Sequence, residues 1–131
     1  MATTRKQLSV TMDNRPGTLA RMCTALAERS VNVLALMSVG HDSTSVVRLL
    51  VDKPGDAVKA LDAVGYRYTQ EDVLTTTVAN RPGTLGKVVK ALGDGGVNIN
   101  YAYLGAEGEG QRHLLLVLSV SDVQRGQSLV K

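Results

Sequence analysis

Two identical six-residue stretches carry the groups in this sequence that are best suited to bind a small molecule. Residues 14–19 and residues 80–85 both read Asn-Arg-Pro-Gly-Thr-Leu. The side-chain amide of Asn14 or Asn80 can both donate and accept hydrogen bonds. If a helix begins at the glycine, its first N–H groups and its dipole favour a carboxylate, and the glycine lets the backbone approach that group closely. These residues therefore support non-covalent binding of a molecule that carries a carboxylate and an ammonium group.

A second asparagine follows each stretch at the same distance. Asn32 follows the first and Asn98 the second, and each precedes an apolar segment. If the strands that flank the helix lie side by side in one sheet, we expect the helix to return the second asparagine close to the first. The alternative interpretation is structural, because asparagine is common in turns and can end a helix. Asn-Arg-Pro-Gly would then form only a strand-to-helix corner.

The other reactive side chains form no catalytic or metal-binding pattern. Cys23 falls on the apolar face of a predicted helix, and we expect it to pack in the core. His41 and His113 lack partners at metal-ligand spacing, and no paired carboxylates, Ser–His pair or Cys–His pair is evident. A phosphate-binding loop of the acylphosphatase kind needs free amides, whereas Pro16 and Pro82 each remove one. We therefore expect neither an enzyme nor a metal site.

The composition predicts a folded chain with an aliphatic core. Hydrophobic residues make up 44% of the 131 positions, and the aromatic residues are four Tyr with no Trp and no Phe. Few aromatic side chains leave little for stacking on bases or on a flat cofactor, so we expect no nucleic acid and no cofactor. The net charge of +3 is spread along the chain without a basic run. Because no apolar run approaches the roughly 20 residues of a membrane span and no secretory signal is evident, we expect a cytoplasmic protein without membrane contact.

The chain contains an internal repeat. Residues 14–33 and residues 80–99 are identical at ten of twenty positions, at a constant offset of 66. Six of the ten are consecutive, so chance is a poor explanation. We interpret the chain as a duplication, with a first copy at residues 7–72 and a second, shorter copy at residues 73–131. A unit of this size is marginally stable alone and usually depends on a neighbour.

Each copy shows an alternation of strand and helix patterns. The elements predicted in the first copy are a strand over residues 8–12, a helix with Leu19, Met22, Cys23, Leu26 and Ala27 inward, strands over 33–39 and 46–51, a helix from Pro54 to Gly65, and a strand over 66–69. Those predicted in the second copy are a strand over 74–78, a helix with Leu85, Val88, Val89 and Leu92 inward, strands over 99–104 and 113–120 joined by a turn with Gly105, Gly108 and Gly110, and a helix over 121–131 that Gly126 weakens. The predicted fold class is α+β, with two ferredoxin-like βαββαβ repeats whose antiparallel sheets carry helices on one face, the second repeat lacking its last strand.

Two predicted strands are apolar on both faces. Residues 114–118 are all aliphatic, and residues 33–39 nearly so. A sheet of this kind has helices on one face only, so a strand that is apolar on both faces requires a second cover. We expect the other repeat, or the same surface of a second chain, to provide it.

The order of these motifs resembles the ACT domain, twice and over nearly the whole chain. In each copy a strand is followed by Asn-Arg-Pro-Gly-Thr-Leu, an amphipathic helix and then Val-Asn-Val or Val-Asn-Ile. The resemblance implies a small regulatory module that binds an amino acid at an interface between paired domains, as in free-standing proteins with two ACT repeats. The ligand-binding residues that it implies are Asn14, Gly17, Thr18, Leu19, Asn32, Asn80, Gly83, Thr84, Leu85 and Asn98. Some serine-binding members have a histidine where this chain has Met12 and Val78, so the resemblance does not extend to that mode of binding.

The function that the resemblance implies is an allosteric amino-acid sensor without catalytic activity. Such a protein is expected to form a homodimer and to act on a partner such as a metabolic enzyme. The alternative is a purely structural oligomerisation module with no ligand. RNA-recognition modules share the order of elements, but they stack bases on aromatic residues of the central strands. Residues 46–51 and 114–120 contain no aromatic residue.

Overall fold

The computed structural model of the chain describes residues 2–106 and 112–130. The elements in these ranges are β1 (Thr3–Asp13), α1 (Thr18–Glu28), β2 (Val33–His41), β3 (Thr44–Val51), α2 (Pro54–Val64), β4 (Arg67–Ala79), α3 (Thr84–Asp94), β5 (Ile99–Ala106), β6 (His113–Val120) and α4 (Val123–Leu129). The chain divides into two compact units: a first unit of Lys6–Glu71, and a second unit of Asp72–Lys131 with Met1–Arg5. In the predicted glycine-rich turn, Gly105 instead belongs to β5, and Gly108 and Gly110 lie outside the described residues.

The first unit is an antiparallel sheet with both helices on one face. β3 pairs antiparallel with β1 and with β2, and β1 also neighbours β4, which gives the strand order β2-β3-β1-β4. Alternate residues of a strand point to the same face. The buried core between sheet and helices includes Leu8, Val10, Met12, Met22, Leu26, Val47, Leu49, Ala57 and Leu61. The predicted βαββαβ order with helices on one face is confirmed.

The second unit has the same arrangement, except that one of its strands comes from a distant part of the sequence. β6 pairs antiparallel with β4 and β5, and the strand on the other side of β4 is β1. Within the described residues no strand follows β6, as predicted for the shortened repeat. The position of the last strand is taken by the first residues of β1, which belong to this unit.

Contacts of residues 2–4 show how closely the N-terminus packs in the second unit. Ala2 is 1% exposed and lies in the core cluster with Leu74 and Leu92. The Thr3 hydroxyl lies 2.9 Å from the Thr75 hydroxyl, and the Thr4 hydroxyl donates to the Gln127 side chain at 2.6 Å. The N-terminal residues are therefore part of this unit's core and sheet.

The inner face of α1 differs from the prediction. The buried residues are Met22, Ala25 and Leu26, whereas Cys23 and Ala27 are exposed and Leu19 is 36% exposed. The expected core position of Cys23 is therefore wrong. The buried side of the helix therefore runs through Ala25 and not through Cys23 and Ala27. Leu85 occupies the position of Leu19 in α3 and is also exposed.

β6 is buried on both faces, as its sequence predicts. Leu116 and Leu118 pack in the core cluster of the second unit. Leu115 and Val117, which point to the opposite face, are 3% and 0% exposed. β2 differs, because its second half is exposed and Val39 is 50% exposed.

Gly126 in α4 has a packing role that the sequence pattern did not indicate. A Cβ at this position would lie 3.1 Å from Leu74 Cδ2 and 3.3 Å from Leu92 Cδ2. The glycine therefore lets α4 lie close to β4 and α3. The Asp122 side chain accepts a hydrogen bond from the Arg125 N–H at 3.0 Å and caps the helix.

Candidate functional site

The two Asn-Arg-Pro-Gly stretches fold into the same backbone corner between a strand and a helix. Gly17, the N-cap of α1, has φ 93° and ψ −17°, and Gly83, the N-cap of α3, has φ 91° and ψ −16°. This left-handed region strongly favours glycine, because other residues have a Cβ that is strained there. We call residues 13–18 the first corner and residues 79–84 the second corner.

The threonine of each corner binds the loop to the end of its own strand. The Thr18 hydroxyl lies 2.7 Å from the Asp13 carbonyl and 3.1 Å from the Arg15 carbonyl, and both can accept its proton. The Thr84 hydroxyl is placed in the same way, 2.6 Å from the Ala79 carbonyl and 3.0 Å from that of Arg81. These side chains therefore hold the corner and do not cap the helix.

The helix N-termini at both corners remain open. Neither helix has a side-chain cap and neither has an acidic residue in its first turn. Among the described residues, no acceptor outside the helices takes the N–H groups of Leu19 and Ala20, or those of Leu85 and Gly86. Each corner thus presents amides and a positive helix end where a carboxylate is favoured.

Asn14 is directed at the β2–β3 hairpin. Its Nδ2 donates to the Asp42 carbonyl at 3.0 Å, and its backbone N–H donates to the Ser43 carbonyl at 2.9 Å. The carboxamide lies against Gly40, where a Cβ would stand only 2.8 Å from Nδ2. In the second corner the backbone N–H of Asn80 makes the equivalent contact, with the Arg112 carbonyl at 2.7 Å.

Asn32 lies at the opposite end of the sheet from Asn14. Asp13 and His41 are both paired with Thr44, whereas Val33 is paired with Val51. β1 and β2 are both antiparallel to β3 and hence parallel to each other. Thr44 and Val51 are seven residues apart on β3. At 3.3 Å per residue, the end of β1 beside Asn14 and the start of β2 beside Asn32 therefore lie about 23 Å apart along the sheet. The condition for the expected return is not met, because β3 lies between β1 and β2, and α1 carries the chain back to the end of the sheet at which β1 begins.

The second asparagines make similar backbone contacts at that end. The Asn32 N–H donates to the Asp52 carboxylate at 2.8 Å, and the Asn98 N–H donates to the Ser121 hydroxyl at 3.0 Å. The Asn98 side chain also donates to the Asn100 side chain at 3.1 Å. Their backbones join neighbouring strand ends, and a role in ligand binding remains a prediction.

A cleft of about 760 Å³ opens beside the first corner. It is lined by Thr11, Met12, Asp13, Arg15, Pro16, Gly17, Thr18, Arg21, Thr44, Val64, Gly65, Tyr66 and Arg67. This volume is within the range of small-molecule sites. Since its charged residues are three arginines and one aspartate, we call it the arginine cleft.

Tyr66, which follows α2, contacts two residues of α1 in the arginine cleft. Its hydroxyl donates to the Thr18 carbonyl at 2.6 Å, and the Arg21 guanidinium lies over its ring at 5.5 Å from the centroid. This cation–π contact and the hydrogen bond hold the arginine above the start of α1. Arg15 lies 3.7 Å from the Asp13 carboxylate, with both side chains about 70% exposed. Sequence reasoning missed Tyr66 and Arg67, because no motif marks them and only the fold brings the α2–β4 connection to the corner.

Residues 2–106 and 112–130 contain neither a helix that could span a membrane nor a cluster of metal-binding side chains. No helix there is both long and apolar enough to cross a membrane. No group of three or more His, Cys, Asp or Glu side chains is arranged to hold a metal ion.

Comparisons with known proteins agree on the fold. A protein from Bacteroides thetaiotaomicron is 29% identical over 98% of this chain and 87% of its own, with a TM-score of 0.88. The ligand-free regulatory subunit of aspartate kinase from Thermus thermophilus is 18% identical over 98% of this chain and 93% of its own, with a TM-score of 0.71. The corresponding subunit from Thermus flavus has the same identity and coverage and a TM-score of 0.62. No curated protein sequence matches the chain significantly.

The family comparison covers nearly every residue. The model of the ACT domain pair matches residues 3–130, which include both corners and both units. The chain therefore belongs to the ACT domain pair family.

Proposed function

We propose that this protein is a regulatory protein that binds an amino acid at its strand-to-helix corners. The observation that carries the proposal is the recurrence of one corner, with glycine φ angles of 93° and 91° and an uncapped helix N-terminus in each unit. An α-carboxylate fits the open amides of such a helix start. Membership of the ACT domain pair family supports a regulatory role for a small molecule.

In this proposal, Asn14 connects a ligand bound at the first corner with the β2–β3 hairpin. Because Nδ2 is bound to the Asp42 carbonyl, the amide oxygen is the atom left to accept from a ligand ammonium. A ligand held by this oxygen and by the start of α1 would link the helix to the β2–β3 hairpin. Occupancy then stabilises the unit and changes the surface that a partner, such as a metabolic enzyme, recognises.

The position of Asn32 bears on the oligomeric state. A ligand at Asn14 cannot also reach Asn32 of the same unit, since the two lie about 23 Å apart along the sheet. If Asn32 contributes to the site, it comes from another ACT domain. We therefore propose a cytoplasmic homodimer in which a second copy of the chain supplies that side chain.

A thermal-shift screen with the twenty amino acids tests the function. A ligand at about 100 times its Kd adds roughly 2.7 kcal/mol of stability, which raises the melting temperature by about 10 °C. Asn14→Ala and Asn80→Ala, alone and together, form a matched set for the two corners. We expect each variant to lose the part of the shift that comes from its own corner.

A purely structural oligomerisation module is the second candidate. The observation that favours it is the exposure of apolar side chains in both units, Leu19 and Val39 in the first and Leu85 and Leu104 in the second. This function predicts no thermal shift with any amino acid. A shift that survives the double asparagine variant would contradict binding at the corners.

A further inference from the structure

The arginine cleft has a charge pattern that the paired corners do not explain. Arg15, Arg21 and Arg67 line it together with a single acidic residue, Asp13. The Asn14 carboxamide is not among the lining residues, because it is held at the hairpin. The cleft therefore has its own acceptor for a cation, the Asp13 carboxylate, and a surplus of positive charge.

We propose that the arginine cleft binds a dicarboxylic α-amino acid, a class that complements its three positive charges and one negative charge. The proposal rests on the proposed function and names its ligand class. The two ligand carboxylates pair with guanidinium groups, which match carboxylates in planar, two-point hydrogen bonds. The ligand ammonium pairs with Asp13.

One arginine of the cleft is already held in position before a ligand binds. Arg21 is held over the ring of Tyr66, and the Tyr66 hydroxyl is fixed on the Thr18 carbonyl. A side chain that is already positioned loses less conformational entropy when it binds a carboxylate. Arg15 and Asp13 are 3.7 Å apart and largely exposed, so both can turn to a ligand without being released from a buried pair.

The second corner lacks this pattern in its sequence. At the constant offset of 66, Asp13 corresponds to Ala79 and Arg21 corresponds to Lys87. The carboxylate that accepts the ammonium in the arginine cleft is therefore absent there, and the arginine held on tyrosine is replaced by a lysine. The proposal predicts one dicarboxylate site per chain, in the first unit.

Titration calorimetry of the full chain with four probes tests the proposal. L-aspartate and L-asparagine have nearly the same shape and differ in one negative charge, succinate lacks the ammonium, and inorganic phosphate is a plain anion. We expect aspartate to bind once per chain and at least tenfold more tightly than each of the other three. Its affinity falls as salt is raised, because the paired groups are solvent-exposed and screened.

Matched arginine variants locate the site. Arg67→Gln and Arg21→Gln are each expected to weaken aspartate binding at least tenfold, while Lys87→Gln, the counterpart of Arg21 in the second unit, leaves it unchanged. Unchanged melting curves for Arg67→Gln show that its loss of binding is not unfolding. Equal binding of asparagine and aspartate, or equal losses for Lys87→Gln and Arg21→Gln, would overturn the proposal.

The outcomes separate this proposal from the proposed function. If only neutral amino acids bind, and Asn14→Ala abolishes their binding, the sensor function stands and the dicarboxylate site does not exist. If succinate or phosphate binds as tightly as aspartate, the cleft is an anion site that does not recognise the ammonium, and the proposal is wrong.

Discussion

Gly17 is the residue at which a side chain would most directly strain the first corner. Its φ of 93° lies in the left-handed region, although nothing lies within 4 Å of where a Cβ would stand. The cost of Gly17→Ala is therefore backbone strain alone. We expect the free energy of unfolding to fall by about 1 kcal/mol, as measured by chemical denaturation.

Gly55→Ala is the control for this substitution. Gly55 lies in the first turn of α2, outside the positive-φ glycines, and has the same open space around it. Alanine has a higher helix propensity than glycine, so stability should stay equal or rise. An equal loss for Gly17→Ala and Gly55→Ala would show that φ is not the cause.

Tyr68 gives the first unit a pH dependence in the alkaline range. Desolvation of the half-buried phenol raises its pKa above 10.0, and the nearby Asp62 carboxylate raises it further. The folded state thus favours the neutral phenol. The stabilisation is fully present below the pKa of the unfolded chain and is lost as pH rises through the higher pKa of the folded state.

A tyrosinate absorbance titration measures this pKa, since the chain has four Tyr and no Trp. Tyr68→Phe identifies the Tyr68 transition in the curve. Asp62→Asn is expected to lower the pKa of Tyr68, because it removes the negative charge that opposes ionisation. A Tyr68 transition at or below 10.0 in the parent protein would contradict the desolvation of this side chain.

Local sequence predicts only part of the candidate site. The corners follow from short-range rules: proline and glycine end the strand, and the helix begins after them. Tyr66 and Arg67 lie some 50 positions along the chain from Thr18, so their approach depends on how α2 packs and not on any motif. Asp13 lies in the first corner itself, but its proposed role as an acceptor depends on the arginines that the fold brings into the same cleft.

At the scale of elements, periodicity predicts the helices better than it predicts their inner faces. In α1 the predicted stripe of Leu19, Met22, Cys23, Leu26 and Ala27 shares only Met22 and Leu26 with the buried stripe of Met22, Ala25 and Leu26. The two stripes differ by roughly a fifth of a turn. Packing against the sheet decides between them, and it buries Ala25, which a count of large apolar residues does not register.

The direction of the elements also determines which asparagines meet. A strand-helix-strand unit with parallel strands places the start of its second strand at the start of its first. The register of β1 and β2 on β3 shows this arrangement directly. The ferredoxin-like order was predicted correctly, and it already implies that Asn14 and Asn32 cannot meet within one unit.

At the scale of the whole molecule, the duplication does not correspond to two separate segments of chain. Residues 1–5 belong to the second unit, although about 70 positions separate them from β4 at Thr75. A sequence pattern cannot show this pairing, because residues 3–5 precede the first copy of the repeat and have no counterpart in the second. The second repeat lacks its last strand, and the N-terminus fills the position beside β4.

Deletion of residues 2–5 is therefore expected to destabilise the second unit selectively. It removes Ala2 from the core and the contacts of Thr3 with Thr75 and of Thr4 with Gln127. Two hydrogen bonds at about 1 kcal/mol each predict at least a tenfold loss of hydrogen-exchange protection in β4 and β6. Exchange measured by mass spectrometry should leave β2 and β3 protected as before. Thr3→Val should give a smaller loss in the same peptides. Equal losses in both units would contradict a selective effect, and no loss in β6 would mean that the second unit does not depend on this strand.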